Sequence, residues 1–268
     1  MAQLSINEAW NETAAFVKRE ARLLFPIAFL LVALPGAVLQ LAMPQPAPGE
    51  PPEPGLWLLM VPVAVALGMA GTIALSYLAL RSGASVAEAL QVGARRFLIL
   101  LGASLLVGLA AAAVAIPVII VIGAAAFAGG SAAAAAGVAV LGALVALVLL
   151  LALWVRLMLM TPVAAVEPGG PIALIRRSWA LTSGHFWRLL GFALLALVAA
   201  MVAMAAVTAV VGLVILLLAG PAEPNSLSMI LLLLVSALLQ AVISMLLATM
   251  IARIYAQLSG FGTRDVFA

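Results

Sequence analysis

Long uncharged stretches alternate along the chain with short segments that contain nearly all of its charged residues. A helix that crosses the roughly 30 Å hydrocarbon core of a bilayer needs about 20 mostly apolar residues. Each uncharged stretch meets that length, and the one from 97 to 155 is far too long for a single crossing. Dividing that stretch at Gly129-Gly130-Ser131 predicts six membrane spans, at about 23–43, 56–80, 97–127, 134–159, 188–219 and 228–254.

The spans are apolar on every face, which predicts helices rather than a β-barrel. A segment such as "ILLLLVSALLQAVISMLLATMIA" lacks the alternation of apolar and polar residues that barrel strands show over about 10 positions. Composition agrees with this, because 67% of the residues are hydrophobic and only 8% are charged, against about 25% charged in soluble domains. The expected fold class is an all-α integral membrane protein that forms one membrane domain over residues 1–268.

Three segments with charged and aromatic residues precede spans one, three and five. Residues 5–20, 85–95 and 171–183 each place apolar side chains on one side of a helix and polar ones on the other, a pattern typical of helices that lie in the headgroup region. The first two begin with Ser5 and Glu8, and with Ser85 and Glu88, at capping-box spacing. We therefore expect three hairpins, each preceded by a cytoplasmic interfacial helix; ordinary amphipathic connectors without an internal repeat are the alternative.

All twelve basic residues fall in the segments on one side of the predicted spans. The loops on the other side, "PQPAPGEPPEPG", "AGGSAA" and "GPAEPNS", contain only acidic charges. Since basic residues near span ends stay on the cytoplasmic side, both termini are expected in the cytoplasm.

The basic and tryptophan side chains near the span ends are the expected contacts to anionic lipid headgroups. They are Lys18, Arg19, Arg22, Arg95, Arg96, Arg176, Arg177, Arg188, Trp10, Trp179 and Trp187. A nucleic-acid partner is not expected, because the net charge is only +3 and the basic residues lie beside span ends. Lipids are the expected partners, and a protein partner or a second copy of the chain stays open.

The stretch from Val155 to Gly191, "VRLMLMTPVAAVEPGGPIALIRRSWALTSGHFWRLLG", resembles a pattern in bacterial membrane proteins. It is similar to the YciC-like group and to the membrane domain that accompanies some glycerophosphoryl diester phosphodiesterases. The matching positions are Arg156, Pro162, Glu167, Pro171, Arg177, Ser178, Trp179, Leu181, Thr182, Gly184, Phe186, Trp187 and Arg188. The resemblance implies a six-span helical domain in the bacterial inner membrane without the catalytic barrel, and it implies no activity.

Catalytic and metal-binding residue types are scarce. The chain has no cysteine and one histidine, His185, and no acidic residue falls inside a predicted span. We therefore expect no enzymatic activity, no cofactor and no carboxylate-coupled ion transport. Arg156 lies near the end of span four, where it is expected to pair with Glu167; reaching a lipid phosphate or contacting a substrate are the alternatives.

Span six contains a polar stripe formed by Ser236, Gln240 and Ser244 at a spacing of four residues. Such residues usually form hydrogen bonds between helices, and lining a polar cavity is the alternative. The favoured hypothesis is a non-enzymatic, lipid-interacting bundle that serves envelope or membrane homeostasis. The alternative is a permease or translocator, or a permease subunit, for a lipid-like or small neutral substrate.

Overall fold

The structure is a computed structural model that describes residues 5–44, 54–81, 83–128, 132–221, 223 and 226–261. Its helices are α1 (Ile6–Ile27), a π-helical segment (Ala28–Ala33), α2 (Leu34–Ala42), α3 (Trp57–Leu80), α4 (Val86–Ala128), α5 (Ala132–Leu157), α6 (Met160–Val166), α7 (Pro171–Thr182), α8 (Phe186–Ala219) and α9 (Leu227–Ser259). Within the described residues, six helical stretches are long and apolar enough to cross a membrane. The predicted number of spans is confirmed, and the chain is a multi-pass membrane protein by length and composition of its helices.

Two of the three predicted interfacial segments are continuous with the spans that follow them. Residues 6 to 42 form one uninterrupted helical stretch, and α4 runs without a break from residue 86 to residue 128. Only the third segment is a helix of its own, α7. The difference follows from helix-breaking residues: Gly184 adopts a positive φ of 95° in the turn between α7 and α8, whereas no glycine with a positive φ interrupts α1 or α4.

The predicted caps of the first two segments are confirmed on the serine side. The Ser5 hydroxyl accepts a hydrogen bond from the Glu8 backbone N–H at 3.3 Å, and the Ser85 hydroxyl accepts one from the Glu88 N–H at 3.2 Å. Each bond satisfies one of the free amide groups at a helix start. These caps place the beginnings of α1 and α4 where the sequence pattern predicts them.

Polar contacts between helices gather at one end of the bundle, which we call the charged end. There the starts of α1, α4 and α8 meet the ends of α3, α5 and α9. The Ser5 N–H donates to Gln257 Oε1 at 3.1 Å, and Arg253 Nε lies 3.9 Å from Glu12 Oε2, so both contacts join α1 to α9. The Tyr77 hydroxyl, near the end of α3, donates to the Glu88 carboxylate at the start of α4.

The buried core lies mainly toward the charged end, where α1, the π-helical segment, α3 and α9 pack together. Leu24, Ile73, Leu75 and Ile254 are completely buried there. In contrast, α4, α5 and α8 expose many large apolar side chains along their lengths, including Leu109, Val121, Leu141, Val148, Leu195 and Leu217. Such exposed apolar surface suits contact with lipid acyl chains rather than water.

Two glycines allow α3 to approach its neighbours closely. A Cβ atom on Gly93 of α4 would lie 2.4 Å from the Ala70 carbonyl oxygen of α3, and one on Gly71 would lie 2.8 Å from Leu31 Cβ in the π-helical segment. Small residues at helix interfaces permit this kind of contact in membrane proteins. The positions of α3 and α4 at the charged end therefore depend on these glycines.

We expect Gly93→Ala to lower the melting temperature of the purified protein in detergent. The added methyl group must push the α3 backbone away, which costs about 1–3 kcal/mol of unfolding free energy. Gly108→Ala is the matched control. Gly108 lies on the same helix, and a Cβ atom there would meet no atom within 4 Å. Both changes raise helix propensity by a similar amount. Equal melting temperatures for the two variants would contradict the close α3–α4 contact.

Candidate functional site: the Glu167 cluster

Glu167 lies at the charged end, at the C-terminal cap of α6, and its carboxylate accepts hydrogen bonds from two side chains. Arg177 Nε of α7 donates to both carboxylate oxygens, at 2.9 and 3.0 Å. The Tyr255 hydroxyl of α9 donates to Oε1 at 2.6 Å. With Arg96 of α4, described next, these residues form what we call the Glu167 cluster.

Arg96 binds the backbone at the same place. Its Nη1 donates to the carbonyl oxygen of Ala164 at 2.9 Å and to that of Glu167 at 2.7 Å. These carbonyls belong to the last turn of α6, where no further helical N–H is available and the helix dipole favours a cation. The Glu167 cluster thus joins α4, α6, α7 and α9.

Arg156 occupies a different position from the one expected. The sequence predicts that it pairs with Glu167, whereas in the structure Arg177 occupies that carboxylate. The Arg156 guanidinium instead lies 5.2 Å from the Trp179 ring centre and 5.3 Å from that of Phe186. Two aromatic faces stabilise a cation by cation–π attraction. The orientation of α7 accounts for this difference, because Arg177 faces Glu167 whereas Trp179 faces Arg156.

The backbone of Arg156 is also held by α7. Its carbonyl oxygen accepts hydrogen bonds from Ser178 Oγ at 2.8 Å and Thr182 Oγ1 at 3.4 Å. Both hydroxyl residues are completely buried. They satisfy a carbonyl at the end of α5 that the helix itself leaves free, and they fix α7 against the end of span four.

The predicted headgroup contacts divide into two groups. Arg96 and Arg177 are used inside the Glu167 cluster, as described above. The other predicted basic residues are exposed: Lys18, Arg19, Arg22, Arg95, Arg176 and Arg188. The three predicted tryptophans are exposed as well, with Trp10 51%, Trp179 47% and Trp187 80% accessible.

The predicted polar stripe on span six lies on α9, away from the Glu167 cluster. Ser236 and Ser244 are half-buried and Gln240 is exposed. The Ser244 hydroxyl donates to the Ala241 carbonyl of its own helix at 3.0 Å, so it adds no bond between helices. The structure therefore does not join this stripe to the polar residues of the charged end.

An open pocket of about 370 Å³ lies beside the Glu167 cluster, between α7 and the α6–α7 turn. Its polar side chains are Glu167, Arg176 and Arg177, and its remaining walls are Val163, Pro168, Gly169, Ala173, Leu174 and Ala180. Two guanidinium groups beside one carboxylate suit the binding of an anion. Within the described ranges no group of three or more His, Cys, Asp or Glu residues could hold a metal ion.

Comparison with known proteins places the chain in a family. A family model described as Domain of unknown function (DUF7847) matches residues 5–258. The chain belongs to this family. No curated protein and no solved structure matches the chain. The matched range covers all the helices from α1 to nearly the end of α9, so family membership includes every residue of the Glu167 cluster.

Sequence reasoning missed Tyr255 and the structural role of Arg96. One signal was available, because the chain has only two tyrosines and each lies near the end of an apolar helix. Both donate to a glutamate of another segment, Tyr77 to Glu88 and Tyr255 to Glu167. A tyrosine close to a span end, in a chain this poor in polar groups, is a candidate partner for one of the few acidic residues.

We expect a double-mutant cycle to couple Glu167 to Arg177 and not to Arg156. Glu167→Gln should lower the unfolding free energy by about 1 kcal/mol, because it removes the charged partner of Arg177, whose 42% exposed side chain is partly screened by solvent. Combining it with Arg177→Gln should cost less than the sum of the single changes. Combining it with Arg156→Gln should cost about the sum. A larger coupling to Arg156 than to Arg177, measured by thermal unfolding in detergent, would contradict the observed pairing.

Proposed function

We propose that this protein is a non-enzymatic, integral inner-membrane protein of bacteria that binds anionic lipid headgroups at its charged end. Both termini lie in the cytoplasm, and the role is in envelope or membrane homeostasis. The resemblance of residues 155–191 to YciC-like proteins remains a prediction that agrees with this proposal.

The observation that carries the proposal is the uncompensated positive charge beside exposed tryptophans. Among the described residues, eleven basic but only five acidic residues belong to the segments of the charged end. Four of those acids contact a partner: Glu12 lies near Arg253, Glu20 pairs with Arg19, Glu88 binds Tyr77 and Glu167 binds Arg177. Most exposed bases are therefore available to phosphate groups, each contact being worth about 1 kcal/mol near an anionic surface.

The exposed tryptophans support placement of this end at a membrane surface. Trp10, Trp179 and Trp187 come from α1, α7 and the start of α8. Tryptophan is enriched at the level of the headgroups, because its ring is apolar and its N–H is polar. Exposed tryptophans beside arginines are unfavourable in water and favourable in that layer.

Contacts between consecutive spans support the finer arrangement as three hairpins. The π-helical segment and α2 pack against α3, α4 packs against α5, and α8 packs against α9. At the distal turn between α8 and α9, the Ser228 hydroxyl donates to the Ala219 and Gly220 carbonyls at 3.0 and 2.9 Å. We assign α7 as an interfacial helix, whereas the first turns of α1 and α4 extend their spans into the headgroup layer.

We expect neutralisation of three exposed bases to weaken binding to anionic membranes. The triple variant Lys18→Gln, Arg22→Gln and Arg95→Gln, reconstituted in nanodiscs, should recruit fewer phosphatidylglycerol molecules than the unaltered protein. Its apparent affinity should fall at least tenfold, since three contacts of about 1 kcal/mol are lost. Enrichment of phosphatidylglycerol over phosphatidylcholine around the protein is the measurement.

The charge-conserving triple variant Lys18→Arg, Arg22→Lys and Arg95→Lys is the control and should keep full enrichment. High salt should reduce the enrichment for both the unaltered protein and this control, because exposed charges are screened. Equal enrichment of the two lipids by the unaltered protein would refute the proposed function.

A translocator for a lipid-like substrate is the second candidate, and one observation favours it. Gln240 is exposed near the middle of α9, where an amide has no water to bind in a bilayer. A polar cavity that reaches this residue would satisfy it. If the protein is a translocator, Gln240→Leu should slow the movement of fluorescent lipid between the leaflets of reconstituted vesicles. If it only binds lipids, neither the unaltered protein nor Gln240→Leu should move lipid between leaflets.

A further inference from the structure

One face of α7 forms a wall of the open pocket and contains both small and cationic residues. Ala173, Arg176, Arg177 and Ala180 line the pocket at relative positions i, i+3, i+4 and i+7, which lie on one side of a helix. The opposite wall is the α6–α7 turn with Glu167. The small side chains of the two alanines occupy little of the space between the turn and the helix.

Both arginines can donate into this space. Arg177 binds Glu167 through Nε, which leaves its two Nη groups for a further acceptor. Arg176 is exposed, and no ion pair to it is found among the described residues. With Glu167 counted, the lining has one excess positive charge. This matches the single negative charge of a phosphodiester.

Large apolar side chains stand next to the cationic side of α7. Ile172 and Trp179, seven residues apart on this helix, are 66% and 47% exposed. The pocket itself continues this apolar character through Val163 and Leu174. A free phosphate ion gains nothing from such neighbours, whereas a lipid can bury glycerol and upper acyl carbons against them.

We propose that the pocket between α7 and the α6–α7 turn binds the phosphodiester group of one membrane phospholipid. Arg176 and the Nη groups of Arg177 hold the phosphate oxygens, and Ile172 and Trp179 contact the acyl chains. This inference rests on the proposed function and deepens it, because it assigns one defined site among the many exposed bases. Glu167 has a positioning role here: it fixes Arg177 by its Nε so that the outer guanidinium nitrogens face the pocket.

The test measures phospholipid bound to the delipidated full-length protein in detergent, by native mass spectrometry during titration with phosphatidylglycerol. The unaltered protein should show one saturable high-affinity lipid. Arg176→Gln removes a charge from the pocket, and Ala180→Leu fills the pocket without changing any charge. Each change should lower the affinity for the first bound lipid at least tenfold.

Two matched variants outside the pocket serve as controls. Arg81→Gln removes an exposed base just after the end of α3, and Ala94→Leu adds the same bulk as Ala180→Leu at an exposed position of α4. Both should bind the first lipid with an affinity within twofold of the unaltered protein. Thermal unfolding of all four variants shows whether each retains its fold. Arg176→Lys keeps the positive charge and should therefore recover most of the affinity for the first lipid that Arg176→Gln loses.

Inorganic phosphate is added in a separate titration to distinguish the two sources of phosphate. Displacement of the lipid only by large excesses of phosphate supports a lipid site, whereas equal competition by phosphate would overturn it. The inference also fails if Arg81→Gln lowers the affinity for the first lipid as much as Arg176→Gln does, or if Ala180→Leu leaves that affinity unchanged. In either case retained phosphatidylglycerol enrichment in nanodiscs would leave the proposed function intact, and loss of that enrichment in the unaltered protein would refute both.

Discussion

A carboxylate at the edge of a hydrocarbon layer must be compensated, and the rest of the charged end depends on how Glu167 meets that requirement. Its carboxylate accepts hydrogen bonds from Arg177 and Tyr255, while Arg96 donates to its backbone carbonyl oxygen. These contacts come from four helices, so one acidic residue determines how α4, α6, α7 and α9 meet. Loss of Arg177 would leave the carboxylate without its counter-charge, and loss of Arg96 would leave the Ala164 and Glu167 carbonyls without this donor, which is costly where water is scarce.

The position of α7 follows from this constraint together with a second one. Arg177 anchors one side of the helix to Glu167, and the buried hydroxyls of Ser178 and Thr182 anchor another side to the Arg156 carbonyl. With two sides fixed, the remaining surface of α7 must face outward. Trp179 and Arg176 are on that surface, beside the open pocket. The exposure of Trp179 and Arg176 is thus a consequence of how the polar residues inside are satisfied.

Much of the fold could be predicted because the bilayer imposes simple rules. Span number followed from the lengths of the uncharged stretches, and the caps at Ser5 and Ser85 followed from local spacing. Continuity of helices was harder, since nothing in residues 18–24 or 95–98 distinguishes a helix that ends from one that continues; only the conformation at Gly184 separates α7 from α8. Sequence periodicity shows which residues share a face, and it does not show which neighbour that face meets.

The candidate site was predicted in its residue types but not in its pairs. Glu167, Arg156 and Arg177 were all identified. Which of the two arginines pairs with Glu167 depends on the orientation of α7 about its axis, and sequence alone does not reveal that orientation. Tyr255 is 88 residues from Glu167 in the chain, and Arg96 is 71 residues away. Such distant contacts arise from packing of whole helices, which the local pattern of a single sequence does not determine.

The proposed lipid contacts require the charged end to face the cytoplasm and the distal loops to face the other side. Because the chain has no cysteine, single cysteines can be introduced one at a time and labelled with a membrane-impermeant maleimide. Arg95→Cys and Ser183→Cys should react in inside-out vesicles only, and Gly55→Cys and Glu223→Cys in right-side-out cells only. Reaction of Gly55→Cys and Ser183→Cys from the same side of the membrane would contradict the arrangement on which every lipid contact proposed for this protein rests.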